Sequence, residues 1–170
     1  MNIANILTIF RFILIPYFIL VFFSNSQNNI YISIIIFFAA GLTDILDGYI
    51  ARNFNMITKL GTVLDPLADK LMLITVLTCF TIKNYIPIFI IIILIIKELS
   101  MILAGIILYG QNIVIPANIF GKASTFLFYI SILLVAFNKM LGTIFLYIAL
   151  LSTLVAYVNY FFILMKKRQL

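Results

Sequence analysis

The sequence contains no histidine and no tryptophan, and Cys79 is the single cysteine among its 170 residues. Without histidine, the chain has no imidazole to act as a general base or to bind a metal ion. One cysteine excludes an intramolecular disulfide and a cysteine-cluster metal site. Any aromatic belt at a membrane interface would have to come from tyrosine. Metal binding or acid–base catalysis would therefore depend mainly on carboxylates.

Charged residues are also scarce, at 9% of the sequence, whereas 65% of the residues are hydrophobic and the mean hydropathy is +1.26. Soluble domains carry roughly 25% charged residues. A chain with so little polar surface cannot cover a water-facing globule, which predicts an integral membrane protein. Its composition, rich in isoleucine, asparagine and lysine, is compatible with an AT-rich bacterium, so we expect a bacterial cell membrane.

Apolar runs divide the chain into six segments, each near the roughly 20 residues that a helix needs to cross a bilayer. We therefore expect an all-α integral membrane fold with six transmembrane helices, forming one domain over residues 1–170. An interfacial, amphipathic segment over residues 2–11 should open the first span. Arg11 splits the first apolar run, so no cleaved signal peptide is expected. The predicted spans are residues 3–23, 30–50, 60–82, 85–109, 117–137 and 141–165, with turns or loops at 24–29, 52–59, 83–84, 110–116 and 138–139.

Lysine and arginine exceed aspartate and glutamate by 11 to 5, and most of the basic residues fall on one side of the predicted spans. The positive-inside rule then places both termini and the loop 52–59 in the cytoplasm. We assign this basic excess to topology and lipid contact, and expect no nucleic-acid partner. The residues on the cytoplasmic side are Arg52, Lys59, Lys122, Lys166, Lys167 and Arg168.

Four of the five acidic residues fall within 26 positions: Asp44 and Asp47 are three residues apart, and Asp65 and Asp69 are four apart. Each pair therefore shares one face of a helix. Both pairs should lie near the cytoplasmic interface, since the second predicted span ends there and the third begins there. Carboxylates gathered in a low-dielectric site must be protonated or neutralised by cations.

Oxygen ligands without histidine or cysteine favour hard cations, Mg²⁺ or Mn²⁺. Two such ions a few ångströms apart would suit phosphoryl transfer. A structural polar cluster or the ion pathway of a cation transporter is the alternative for these four aspartates. Glycines on the same helices, Gly48 and Gly61, favour the enzyme, because they let a bulky ligand approach the backbone closely.

Eight residues between Asp44 and Asp69 lie at a fixed spacing. This spacing resembles the signature of the CDP-alcohol phosphatidyltransferase family without a departure. The resemblance extends over nearly the whole chain, since six spans with the signature across spans two and three are the architecture of that family. Its members transfer a phosphatidyl group from a CDP-linked lipid to an alcohol and release CMP. The matching residues are Asp44, Asp47, Gly48, Ala51, Arg52, Gly61, Asp65 and Asp69.

The resemblance implies a role for each of these positions. Metal ions would be bound by Asp44, Asp47, Asp65 and Asp69, and Asp69 would also act as general base on the acceptor hydroxyl. It further implies a homodimer, with CDP-diacylglycerol entering from the membrane lipids. Thr8 and Arg11 are expected to contact the CDP-lipid, with anchoring at the membrane interface as the alternative. The remaining signature residues would line the CDP site: Gly48, Ala51, Arg52 and Gly61.

Two further segments bear on the acceptor alcohol. Residues 5–16 resemble the N-terminal pattern of members that use glycerol 3-phosphate or phosphatidylglycerol. Residues 121–125 resemble a Gly-Lys-x-Lys-Thr segment of the glycerophosphate enzymes, although Ser124 replaces the second lysine. We expect sn-glycerol 3-phosphate as the acceptor, with its phosphate on Lys122. The alternatives are phosphatidylglycerol, as in a CDP-dependent cardiolipin synthase, inositol phosphate or serine.

Overall fold

A computed structural model describes residues 3–54, 61–109 and 119–168 of the chain. All regular secondary structure in these ranges is helical, which confirms the predicted all-α class. Six helices occur in the described ranges, in the number and order that the apolar runs predict. The helices are α1 (Ile3–Phe22), α2 (Asn29–Asn53), α3 (Gly61–Ile82), α4 (Ile88–Tyr109), α5 (Ile119–Phe137) and α6 (Lys139–Arg168).

Local sequence explains where the helix bounds differ from the predicted ones. α1 is one continuous helix through Pro16, so the polar residues of its first half do not form a separate element. α4 begins at Ile88, directly after Pro87, because proline is favoured at a helix start, where its missing N–H would have no intrahelical partner. The predicted turn at 138–139 is wrong for Lys139, which is already helical. Asn138 Oδ1 accepts the backbone N–H groups of Met140 at 3.0 Å and Leu141 at 3.2 Å, and thereby caps α6.

The predicted connections are described in part. The turn at 83–84 is confirmed, and Asn84 adopts a left-handed backbone with φ of 58°, which asparagine tolerates better than most residues. α2 continues to Asn53, three residues beyond the predicted span. The predicted loop 110–116 and the greater part of 52–59 lie outside the described residues.

The chain divides into two compact units, and α1, α2 and α3 form the first, residues 1–84. α1 packs against both α2 and α3 and is the principal link between them. Its buried side chains recur at steps of three or four residues, so they form one helical face. That face is polar in the first half of α1 and apolar in the second half. Its residues are Thr8, Arg11, Leu14, Phe18 and Phe22.

The C-terminal end of α1 is held by side chains from two other segments. Lys83 Nζ donates to the Phe22 carbonyl oxygen at 2.8 Å, and Asn29 Nδ2 donates to the same oxygen at 3.1 Å. Lys83 Nζ also lies 4.8 Å from the centroid of the Phe22 ring. Carbonyls in the last turn of a helix lack intrahelical donors, and a cation there also matches the negative end of the helix dipole. These contacts fix the end of α1 that lies away from its polar residues.

The second unit, residues 85–170, contains α4, α5 and α6. α5 and α6 form a helical hairpin around Asn138, and α4 contacts α6. Gly142 lies in the first turn of α6 against α5. A Cβ atom at this position would overlap the backbone of Val135. The closest approach of the two helices therefore depends on the absence of a side chain at residue 142.

Two of the helices in the described part of the chain contain segments long and apolar enough to cross a membrane, Asn29–Ile50 and Lys139–Tyr160. Only 28% and 33% of their most apolar windows are buried, so most of these apolar side chains lie at the surface. A core helix of a soluble protein would have the opposite distribution. These two helices therefore have the length, composition and outward-facing apolar surface of membrane-spanning helices.

Gly142→Ala should destabilise the detergent-solubilised protein by about 1–3 kcal/mol, the usual cost of overpacking, because the atoms that its methyl group meets include backbone. The measurement is the midpoint of thermal unfolding.

The matched control is Gly121→Ala in α5, where a Cβ atom meets nothing within 4 Å. This control should leave the midpoint unchanged or raise it, since alanine is favoured over glycine in a helix by about 0.5–1 kcal/mol. Equal midpoints for the two variants would contradict the close approach at residue 142.

Candidate active site

Arg11 joins α1 to both neighbouring helices of the first unit. Its Nη1 lies 2.7 Å from Asp44 Oδ1 and donates to the backbone carbonyl of Asp65 at 3.2 Å. Its Nη2 donates to Asp47 Oδ2. Because Asp44 and Asp47 are one turn apart on α2, a single guanidinium can contact both carboxylates. The planar fork of arginine suits this contact, and a lysine could not reproduce it.

A second contact from the same face of α1 reaches α3. Thr8 Oγ1 donates to Asp65 Oδ1 at 2.5 Å, and Thr8 lies one turn before Arg11. Thr8 thus supplies a hydroxyl donor to the aspartate whose backbone carbonyl accepts from Arg11. Three of the four predicted metal ligands, Asp44, Asp47 and Asp65, are therefore brought together around two polar residues of α1.

Burial differs sharply within this cluster. Arg11, Thr8 and Asp47 are each 1% exposed, whereas 39% of the Asp44 side chain is exposed. A buried guanidinium or carboxylate is costly unless it is paired, and here each compensates the other. The exposed side of Asp44 is the route by which an ion or an anionic group can reach the cluster.

Gly48 follows Asp47 on α2, and the space beside its backbone is open. A Cβ atom there would meet nothing within 4 Å in the described part of the chain. Packing among these residues therefore does not require glycine, although glycine costs about 1 kcal/mol in a helix. Open space beside a helix backbone is what a closely approaching ligand needs.

The other predicted site residues are placed less fully. Asp69 lies on α3, one turn after Asp65, and is half-buried, while Gly61 begins α3 and is buried. Ala51 and Arg52 belong to the last turns of α2, but their side chains lie outside the described ones. The same holds for Lys122, which belongs to α5 in the second unit.

Lys97 and Glu98 on α4 contact each other, with Lys97 Nζ 2.6 Å from Glu98 Oε1 and each side chain 14% exposed. The two charges therefore compensate each other within α4.

The donor chemistry of the cluster fits a hard divalent cation, since carboxylate oxygens are the ligands that Mg²⁺ and Mn²⁺ prefer. Cys79, the single cysteine, is buried further along α3. Among the described residues, no group of three or more acidic or cysteine side chains is arranged to hold a metal ion as it stands. The guanidinium of Arg11 lies between the carboxylates of Asp44 and Asp47.

The sequence did not predict which side chains Thr8 and Arg11 contact. Anchoring at the membrane interface, one of their two predicted roles, does not fit side chains that are 1% exposed. Their contacts are with the aspartates predicted to bind metal. One signal was present in the sequence: both residues share the helical face of Leu14 and Phe18, which buries them with the core.

The family model for CDP-alcohol phosphatidyltransferase matches residues 1–155. The chain therefore belongs to the CDP-alcohol phosphatidyltransferase family, and the resemblance predicted from the aspartate signature is confirmed. Members of this family are transferases, so the chain is an enzyme.

Three relatives carry the same printed name, CDP-diacylglycerol–glycerol-3-phosphate 3-phosphatidyltransferase. The protein from Wigglesworthia glossinidia brevipalpis is 32% identical over 96% of this chain and 94% of that protein. The protein from Aquifex aeolicus is 31% identical over 94% of each. The protein from Haemophilus influenzae is 49% identical over 76 residues, which are 45% of this chain and 41% of that protein.

Thr8→Val should lower the stability of the protein by about 1.5–3 kcal/mol, because it removes a hydrogen bond to a carboxylate without changing the side-chain volume greatly. Thr8→Ser should retain most of that stability, since its hydroxyl can still donate to Asp65. Thermal unfolding in detergent, without added metal, measures both changes.

Thr78→Val on α3 is the control, since Thr78 Oγ1 donates only to the Ile74 carbonyl of its own helix at 2.7 Å. Its cost should be clearly smaller than that of Thr8→Val. A Thr8→Val midpoint equal to those of Thr8→Ser and Thr78→Val would show that the contact with Asp65 contributes nothing.

Proposed function

We propose that this chain transfers a phosphatidyl group from CDP-diacylglycerol to sn-glycerol 3-phosphate, releasing CMP and forming phosphatidylglycerophosphate. The observation that carries this proposal is the convergence of Asp44, Asp47 and Asp65 in an apolar member of the family. The names of relatives that align along nearly the whole chain support glycerol 3-phosphate as the acceptor. Family membership favours this enzyme over the cation transporter that the aspartates alone would allow.

The membrane arrangement is part of the same proposal. All six helices span a bacterial cell membrane, the first half of α1 lies at the interface, and the aspartate cluster faces the cytoplasm. A cytoplasmic site would admit glycerol 3-phosphate from water and CDP-diacylglycerol from the lipid beside the helices. The exposed side of Asp44 supports such access. The active form is proposed to be a homodimer.

Two divalent cations, Mg²⁺ or Mn²⁺, are proposed to be held by Asp44, Asp47, Asp65 and Asp69. When bound, they supply positive charge that polarises the phosphoryl group and stabilises CMP as it leaves. Gly48 leaves room beside α2 for the CDP part of the lipid, with Ala51, Arg52 and Gly61 as further contacts. The proposed contact for the acceptor phosphate is Lys122.

Asp69 is proposed to accept the proton of the acceptor hydroxyl. The hydroxyl oxygen then forms a bond to the lipid-side phosphorus, and the phosphoanhydride bond to CMP breaks.

The first test is CMP release by the purified protein with CDP-diacylglycerol, Mg²⁺ or Mn²⁺, and one acceptor at a time. Release should require glycerol 3-phosphate and should stop when the divalent cations are chelated. The other acceptors are phosphatidylglycerol, inositol phosphate and serine. CMP release with only one of these acceptors would leave the proposed reaction type intact and change its product. No release with any acceptor, together with no CDP binding, would refute the proposal.

Asp69→Asn should lower turnover by about 100- to 10,000-fold, the usual contribution of a general base. CDP binding should persist in part, because the amide keeps the shape of the side chain. Turnover is measured by CMP release, and binding by the shift that CDP causes in the unfolding midpoint. Full activity of this variant would exclude Asp69 as the base.

A further inference from the structure

Resting on the proposed function, we infer that Arg11 is the internal counter-cation of the metal site and leaves Asp44 and Asp47 when divalent cations bind. The inference starts from which atoms Arg11 contacts. Its two terminal nitrogens contact Asp44 Oδ1 and Asp47 Oδ2, one carboxylate each. These are side chains that the proposed function assigns to metal. Arginine and metal therefore compete for the same oxygens.

Distance and charge oppose simultaneous occupancy. Mg²⁺ binds carboxylate oxygens at about 2.0–2.1 Å. Arg11 Nη1 already lies 2.7 Å from Asp44 Oδ1, so an ion on that oxygen would sit only a few ångströms from the guanidinium. Two like charges at this separation repel strongly where water is excluded, and Arg11 is 1% exposed. Movement of Arg11 away from the aspartates relieves this repulsion.

Burial explains why the chain carries a cation here. Among the described side chains, Arg11 is the positive charge in contact with Asp44 and Asp47, so without it the protein would bury the Asp47 carboxylate unpaired among them. Leaving a charge buried and unpaired is strongly destabilising. Arg11 therefore keeps the three helices of the first unit together while the metal is absent.

One donor of Arg11 stays unused in this arrangement. Nε is buried and has no hydrogen-bond partner. A guanidinium with an unsatisfied buried donor is not held by its full set of contacts, which lowers the cost of moving it. Once displaced, its donors suit phosphate oxygens of the CDP-lipid, the contact predicted from sequence.

Competition of this kind lowers the apparent metal affinity. If metal binds only the state in which Arg11 has withdrawn, the apparent dissociation constant equals the intrinsic constant divided by the fraction of molecules in that state. Removing the guanidinium should therefore strengthen metal binding. If Arg11 only positioned the aspartates for metal, removing it would weaken that binding, so the two roles predict opposite signs.

The test measures Mn²⁺ binding to the purified protein by calorimetry, without CDP-lipid or acceptor. Arg11→Gln should lower the Mn²⁺ dissociation constant at least about tenfold relative to the wild type. Arg11→Lys should lower it by a smaller factor, because a lysine ammonium is a single point charge that cannot bridge two carboxylates. Without metal, Arg11→Gln should unfold at a lower temperature, and Mn²⁺ should raise its midpoint more than that of the wild type.

Lys83→Gln is the matched control, since Lys83 is a partly buried cation that holds the opposite end of α1. It should lower the unfolding midpoint and leave the Mn²⁺ dissociation constant unchanged. If Arg11→Gln folds only when Mn²⁺ is present, that dependence supports the inference, and Arg11→Lys then provides the affinity comparison.

Weaker or unchanged Mn²⁺ binding by the Arg11 variants would overturn the inference while leaving the proposed function intact, provided that the wild type binds Mn²⁺ and releases CMP. A wild type that neither binds Mn²⁺ nor releases CMP would instead overturn both. A tenfold gain in affinity for Lys83→Gln would also overturn the inference, because general loosening of α1 would then account for the effect.

Discussion

The contact of one arginine with the carboxylates of a neighbouring helix is the constraint on which the first unit depends. Arg11 lies on α1 and binds Asp44 and Asp47 on α2, while Thr8 from the same face binds Asp65 on α3. In so apolar a chain these groups have few other partners, and an unpaired buried charge costs more than any single apolar contact can offset. The polar half of α1 therefore sets how the three helices meet, and Leu14, Phe18 and Phe22 complete the packing beyond it.

Packing in this chain places much of the apolar surface outward. Large side chains such as Ile13, Leu20 and Leu46 are exposed, whereas Arg11 and Asp47 are almost fully buried. That distribution suits helices in contact with lipid, where apolar side chains need not be hidden and charges must be. It also suits a transferase whose donor is a lipid, because a buried polar site within apolar helices can bind a charged headgroup while the acyl chains stay in the membrane.

Much of the fold could be predicted from the apolar runs and from the polar segments that separate them. Apolar runs interrupted at 24–29, 52–59, 83–84, 110–116 and 138–139 predict six helices in the described order, since a bilayer sets the length of each run. Errors arose at helix ends, where Pro87 and the Asn138 cap decide the first residue. For the site, spacing alone predicts that Asp44 and Asp47 share a face, and family membership follows from the eight signature positions. The partners of Thr8 and Arg11 could not be predicted, because Asp65 lies 57 residues from Thr8 and Asp47 lies 36 residues from Arg11 along the chain.

The helical class and the family follow from the amino-acid sequence, because spacing within one helix and total apolar content are local properties, and the same spacing predicts the candidate site residues. The packing of the three helices adds that Arg11 lies between two of the aspartates, that Asp47 is buried while Asp44 is partly exposed, and that no described atom lies within 4 Å of a Cβ at Gly48. Each of these depends on how α1 is placed against α2 and α3. No local pattern specifies that placement, because the burial of paired charges is a property of all three helices together.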